Sequence, residues 1–363
     1  PTVGLSAWVI VSWRRRAPWP RTALDLPLLA WMAAALLSMA FSVDLRTSLH
    51  TAWQTGIGLL LLWLMVAAVR RGWEKALWQV TYLAGGVVCL LAATELVSWY
   101  FGLPLLPGFQ QGWPELGGLL DLVPPTLYRL GFTLSHSTVL AAFLSLLVPP
   151  AICIAVSSRV RDVRLGMLLW LVAAAVILVF TFSRGGILAL AVSLPLLLAG
   201  ATQSPQLRER WSALSRGRQR AFLALILILG LVAIAGAGYF VVSRMGERAG
   251  GDAVRQDLWR SAVAMLQEHP ITGVGAGSFG FAVRQYRNPL LAFDHIATGH
   301  NLYLNVGAEM GVLGLLTGGW LLLALILVWW RRWEGSPPGS ASWWRVLGVG
   351  AALAGLAAQM MVD

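Results

Sequence analysis

The sequence predicts an all-α, polytopic transmembrane bundle of about ten spans, with one long extracytoplasmic loop carrying an amphipathic helix. Three observations predict it. Of 363 residues, 58% are hydrophobic and 12% charged, with mean hydropathy +0.70, whereas soluble domains carry about 25% charged residues. Apolar runs close to the ~20 residues a bilayer requires recur along the chain. The segments between these runs alternate from one side to the other, and the short basic clusters fall on one set of them.

A partial span is expected near 1–13, then full spans near 23–41, 51–69, 76–99, 132–156, 165–183, 186–201, 221–243, 301–330 and 346–362. The stretch 165–201 must be broken, because one helix of that length would be roughly 55 Å at ~1.5 Å per residue. Ser183-Arg184-Gly185-Gly186 is the expected break, since paired glycines permit a reversal. The chain opens at Pro1 and stops at Asp363 just after an apolar run. It therefore reads as one transmembrane domain over 1–363, a fragment incomplete at both ends, with 244–300 as a loop within it.

The clusters at Arg14–Arg16 and Arg21, at Arg70, Arg71 and Lys75, and at Arg159, Arg161 and Arg164 fall on one side. Those at Arg208–Arg220 and at Arg331, Arg332 and Arg345 join them, to make 18 of the 27 basic residues. The positive-inside rule makes this set cytoplasmic. Arg184, the segments 100–131 and 244–300, and His300 then face the opposite side. A net charge of +11 could suggest nucleic acid, but arginines clustered between apolar runs do not make the single basic face such binding needs. Cys89 and Cys153 lie inside apolar runs as small core residues, and tryptophans such as Trp13, Trp73, Trp99, Trp329, Trp330, Trp343 and Trp344 mark span ends.

In the long loop, Asp252 to Gln267 reads as an amphipathic helix with a stripe of Val254, Leu258, Ala262, Met265 and Leu266. Arg255, Asp257 and Arg260 lie off the stripe. Asp252 suits the N-cap, Pro270 ends the helix, and the stripe would lie along the membrane surface. Gly273-Val274-Gly275-Ala276-Gly277 follows no strand of a βαβ unit, so a tight turn bringing backbone close to a partner is preferred to a phosphate cradle.

His300-Asn301 is followed by nine residues and Gly311-Val312-Leu313-Gly314, which places an imidazole at the edge of a span. Arg184 stands at a span edge with no acidic residue within ten positions, which favours an anionic ligand or a distant acid over a snorkelling side chain. From position alone, Arg255 is a solvated surface residue. His136 reads as a helix cap or interfacial residue, and His269 as local. Asp294 and His295 could share a pocket with His300. Glu309, in an apolar context, calls for a partner such as an arginine. Metal-carboxylate clusters, His/Cys ligand sets and a serine nucleophile with a base are missing from the sequence. Arginines suited to phosphate and a histidine suited to proton transfer fit chemistry on a phosphorylated amphiphile without a metal.

These residues, in this order and on this topology, resemble the O-antigen ligase and O-antigen polymerase superfamily of bacterial membrane glycosyltransferases, over roughly 129–363. The elements are Arg129-Leu130-Gly131-Phe132-Thr133, Phe182-Ser183-Arg184-Gly185-Gly186, Arg255-Gln256-Asp257-Leu258-Trp259, His269-Pro270 with Gly273-Val274-Gly275, and the His300–Gly314 motif. The chain departs from the family pattern at His136-Ser137-Thr138. The resemblance implies a GT-C-like fold in the bacterial inner (cytoplasmic) membrane, with the active site on the periplasmic or external face. It further implies inverting, metal-independent and cofactor-independent transfer of a glycan from an undecaprenyl-diphosphate carrier to an acceptor hydroxyl. His300 is then the base, Arg184 and Arg255 bind the diphosphate as catalytic residues, and Arg129, Asn301, Gly311 and Gly314 complete the substrate-binding set. The acceptor could be lipid A core, as for a ligase, a growing glycan, as for a polymerase, or a protein. A transporter of a small anion is the competing class. It fits less well because the charges sit at the outer edge and matching halves are not seen.

Overall fold

The computed structural model describes residues 21–101, 103, 129–134, 136–221, 224, 245–289 and 298–362. The spans expected near 1–13 and 221–243, most of the segment 100–131, and Asp294 and His295 lie outside these. Every element among the described residues is helical: α1 (Asp25–Met39), α2 (Leu45–Arg70), α3 (Glu74–Phe101), a short 3-10 turn (Phe132–Leu134), α4 (Ser137–Ser157), α5 (Arg161–Thr181), α6 (Arg184–Ala201), α7 (Pro205–Ala213), α8 (Met245–Glu268), α9 (Phe279–Tyr286), α10 (Leu302–Glu334) and α11 (Ala341–Gln359). Seven of them, α2 to α6 with α10 and α11, are long and apolar enough to cross a membrane. α1 is not. Its 15 residues reach only ~22 Å, short of a ~30 Å hydrocarbon core, so 23–41 is a shorter apolar helix.

The described chain divides into two compact units, one of Leu59–Gly200 and Leu327–Asp363 and one of Thr22–Gly58 and Ala201–Ile326. The first is built around α4. Leu140, Leu144 and Ala151 of that helix are fully buried together with Ala92 of α3 and Ala174 of α5, and Trp170 and Ile177 belong to the same cluster. Pro149 and Pro150 remove two amide donors from α4, and the Tyr82 hydroxyl donates to the Leu147 carbonyl nearby, at 3.2 Å. α11 is tied to the start of α4 through Gln359, whose side chain donates to the Thr138 carbonyl at 3.3 Å and accepts from Ser145 Oγ at 3.2 Å.

The break in 165–201 is real, but the paired glycines do not make it. Phe182, at φ 48° and ψ 33°, ends α5 in the left-handed conformation. Ser183 Oγ then accepts from the Gly186 amide at 3.0 Å and so caps α6. Gly186 lies inside α6 instead, where a Cβ would come within 2.9 Å of Ala141 Cβ. Its small size serves close packing of α6 on α4, as small residues commonly do between membrane helices.

The second unit turns on a break in α10. At ~1.5 Å per residue its 33 residues would reach ~50 Å, longer than a bilayer core. Gly311, at φ 61° and ψ −156°, interrupts it. The groups freed by the break are answered by the segment 270–275. Val274 and Gly275 amides donate to the carbonyls of Ala308 and Glu309 at 2.9 and 3.0 Å, and the Val312 and Leu313 amides donate to Pro270 and Ile271 carbonyls at 2.8 and 3.4 Å. Residues 312–334, about 34 Å long, are alone enough to span. The expected span 301–330 is thus two pieces of one interrupted helix.

A Cβ on Gly311 would fall on the Ile271 carbonyl, whereas one on Gly319 would meet nothing within 4 Å. Gly311→Ala is expected to destabilise the protein by about 3 kcal/mol. Gly319→Ala should be neutral or gain up to about 1 kcal/mol. Thermal unfolding of the two variants in detergent checks this, and equal melting temperatures would remove the break from its central place.

Candidate functional site

In the first unit, the expected site residues gather at the end of α5 opposite to Arg159, Arg161 and Arg164. Leu130 N–H donates to the Phe180 carbonyl at 3.0 Å, and Arg129 Nε donates to the Thr181 carbonyl at 3.1 Å. Both thereby cap the C-terminus of α5, where cations and donors are favoured. Arg184 is the first residue of α6 and is exposed. Arg129 and Arg184 thus flank the same turn. His136 is the N-cap of α4, its Nδ1 accepting from the Thr138 amide at 3.3 Å.

A residue that sequence reasoning missed organises this end. Glu95 of α3 is fully buried. Its Oε1 accepts from the Gly131 amide at 2.9 Å, and its Oε2 accepts from the amide and hydroxyl of Thr133 at 2.9 and 2.6 Å. A carboxylate in a low-dielectric interior needs such donors. The available signal was an acid inside an apolar run.

In the second unit, α8 packs its predicted stripe against protein. Leu258, Ala262 and Met265 are buried with Phe279, Ala282 and Val283 of α9 and Ala308 of α10, so other helices cover the face expected to lie on a membrane surface. α8 begins at Met245, and Asp252 lies within it rather than at its N-cap. Asp257, expected off the buried stripe, is itself buried and accepts from the Asn288 amide at 2.9 Å. Arg255 is half-buried on α8. Tyr286 donates to Glu268 Oε2 at 2.6 Å. Burial first, then the hydrogen bond and charge of Glu268, push its phenol up to about 12.

The glycine run is a backbone-to-backbone contact, in line with the tight turn preferred from the sequence. Gly273, Gly275 and Gly277 all have positive φ, and Cβ atoms there would fall on the Glu309 backbone, Ser42 and Thr51 respectively. Ser42, Ser48 and Ser278 hydroxyls lie 2.8–3.1 Å apart, Ser48 Oγ donates to the Ala276 carbonyl at 2.7 Å, and Ser38 Oγ donates to the Glu309 carbonyl at 2.6 Å. These hydroxyls were not singled out from sequence, although small hydroxyl residues recur over 38–51.

Among the described residues, no arginine holds Glu309. Its Oε2 accepts from the Gly277 amide at 2.9 Å, its Oε1 from the Phe279 amide at 3.1 Å, and the Asn305 side chain also donates to it. At the head of α10, Asn301 Oδ1 accepts from the Leu304 amide at 3.0 Å and caps the helix. His300, immediately before, is half-buried with φ 51°, a conformation uncommon for a residue with a Cβ. Gly314 is buried, with Val306 and Met310 closing the space around it. The second unit thus joins His300 and Asn301, just before α10, to Gly311 and Gly314 within it, with Arg255 on a helix packed against that element. Arg129 and Arg184 belong to the first unit.

Residues 167–319 match a family model described as O-Antigen ligase. That range includes Arg184, Arg255 and the whole His300–Gly314 motif, while Arg129 precedes it. No match to this chain is found among curated proteins.

Replacing Glu95 by Leu would leave the Gly131 and Thr133 amides without their acceptor, each at about 1–3 kcal/mol. The expected result is a loss of about 3 kcal/mol and faster hydrogen exchange at those two amides than in the unaltered protein. Unchanged exchange at Gly131 would show that Glu95 does not anchor this segment.

Proposed function

From the premise that the chain belongs to the O-antigen ligase superfamily of membrane glycosyltransferases, through residues 167–319, we propose that it transfers a glycan from an undecaprenyl-diphosphate carrier to an acceptor hydroxyl. Transfer takes place with inversion at the external face of the bacterial inner membrane. The observation that carries this reading is the setting of His300. A titratable imidazole stands in a constrained conformation at the head of a membrane helix, inside the matched segment.

His300 takes the proton of the acceptor hydroxyl as general base. The acceptor oxygen attacks the anomeric carbon, the bond from that carbon to the phosphate oxygen breaks, and undecaprenyl diphosphate leaves with the electron pair. Arg184 and Arg255 offset the charge that develops on the leaving diphosphate, with Arg129 beside the same turn as Arg184. Guanidinium groups suit this role through their paired donors and fixed charge. Such preorganised stabilisation acts most strongly in the transition state. Because it also binds the ground-state diphosphate, both arginines should affect KM as well as kcat. Asn301 orients the head of α10, and the backbone around Gly311 and Gly314 shapes the wall that the substrate meets. Orientation by the positive-inside rule supports the external placement. The acceptor decides between ligase, polymerase and protein oligosaccharyltransferase, and the species that loses sugar when the gene is removed identifies it.

His300→Ala is expected to lower transfer by at least 100-fold, within the range general bases contribute, while the protein still inserts and melts normally. Release of undecaprenyl diphosphate in membranes measures it, and transfer near the unaltered rate would refute the base assignment. Arg184→Lys keeps the charge but loses the fork. It should still reduce kcat and raise KM for the lipid-linked donor, and full activity would return Arg184 to the snorkelling reading.

A further inference from the structure

The left-handed backbone of His300 requires something to hold it, and the first turns of α10 supply the means. Asn301, Asn305 and Glu309 are spaced four residues apart and so share one face of the helix. Each makes a side-chain hydrogen bond to a different part of the surroundings. Asn301 Oδ1 caps the helix just after His300. Asn305 Oδ1 accepts from the Gly299 amide, just before His300, at 3.0 Å. The Asn305 amide group donates to the Glu309 carboxylate, which also accepts from the Gly277 and Phe279 amides.

Two features make this a closed circuit. Phe279, whose amide binds Glu309, is fully buried, and its ring lies 3.2 Å from where a Cβ on Gly299 would stand. The circuit therefore returns from Glu309, through Phe279, to the residue preceding His300. The chemistry also fixes the orientation of Asn305. A backbone N–H needs the amide oxygen and a carboxylate needs the NH₂ group, so the reversed side chain would oppose donor to donor and acceptor to acceptor.

We propose that Asn305 and Glu309 are positioning residues for His300, a polar ladder that sets the imidazole where the acceptor hydroxyl must arrive. This rests on the reading of His300 as the base. The ladder needs no contact with substrate, and it acts by fixing the backbone from which the side chain departs. A small misplacement of a catalytic group can cost about 100-fold in rate.

The test uses the full chain in native membranes, with a synthetic undecaprenyl-diphosphate-linked oligosaccharide as donor and release of undecaprenyl diphosphate as readout. Asn305→Leu and Glu309→Gln are each expected to lower kcat by about 10- to 100-fold, with KM for the donor changed less than about twofold. In a His300→Ala background, Asn305→Leu should cause no further loss, because a residue that acts only through His300 has nothing left to position. With ¹⁵N-labelled histidine, the His300 imidazole resonance, identified by its absence in His300→Ala, should shift in Asn305→Leu. Equal losses in both backgrounds, or an unmoved resonance in folded Asn305→Leu protein, would overturn the ladder. Should Asn305→Leu not fold, Asn305→Asp keeps the acceptor for Gly299, removes the donor to Glu309, and carries the same comparison. Transfer at the unaltered rate in His300→Ala would instead remove the base reading, and the proposal with it. An inactive His300→Ala beside an unaffected Asn305→Leu sinks the ladder alone.

Discussion

A helix interrupted inside a membrane exposes carbonyls and amides that lipid cannot answer, and each such group left unsatisfied costs several kcal/mol. At Gly311 the answer comes from the glycine-rich segment, which both donates to Ala308 and Glu309 and accepts from Val312 and Leu313. The exchange runs in both directions, so neither strand of it can shift without unsatisfying the other. Much of the second unit follows from it. The segment must approach backbone to backbone, which requires Gly273 and Gly311. That approach in turn brings the Gly277 and Phe279 amides to the Glu309 carboxylate. The serine hydroxyls of 38–48 then close over the outside of the turn.

Glu95 and Glu309 solve one problem in two places. Each is a carboxylate buried in an apolar helix, and each is satisfied in part by amides of an irregular segment rather than by water. A buried carboxylate is costly without donors and stabilising with them. An acid in a span can therefore serve as a peg on which a loop is hung. The segment bearing Arg129 hangs on Glu95, and the turn that precedes α9 hangs on Glu309. Arg129 lies on the segment that Glu95 secures, and Phe279 of the turn that Glu309 secures packs its ring close to Gly299, next to His300.

What the sequence made legible follows from the range of the interactions. Spans depend on local composition, so α2 to α6, α10 and α11 lie close to where hydropathy puts them. The break before α6 was readable as a place. Its agent was not, because Phe182 takes a conformation its residue type does not advertise, and Gly186 close by serves packing against α4. The stripe on α8 was correct as a pattern, but hydrophobic periodicity cannot tell a lipid surface from a neighbouring helix. Glu309 was visible as an acid needing a partner, and an arginine was the natural expectation. Its actual partners are two backbone amides, which no residue identity encodes, and the side chain of Asn305 one turn earlier. Contacts such as Ser38 to Glu309, 271 positions apart, lie beyond any local signal.

The nine residues between Asn301 and Gly311 acquire a physical meaning from this arrangement. Two steps of four residues carry the ladder from the helix cap to Glu309, about 12 Å along the axis. The break must come directly after, because the Glu309 carbonyl takes part in the exchange with Gly275 while its side chain holds the following turn. One residue added between Asn305 and Glu309 would turn everything beyond it by about 100°. Asn305 and Glu309 would then face different directions, and the glycine segment would meet the wrong carbonyls. The spacing is therefore a length of helix cut to join a constrained histidine at one end to a satisfied break at the other.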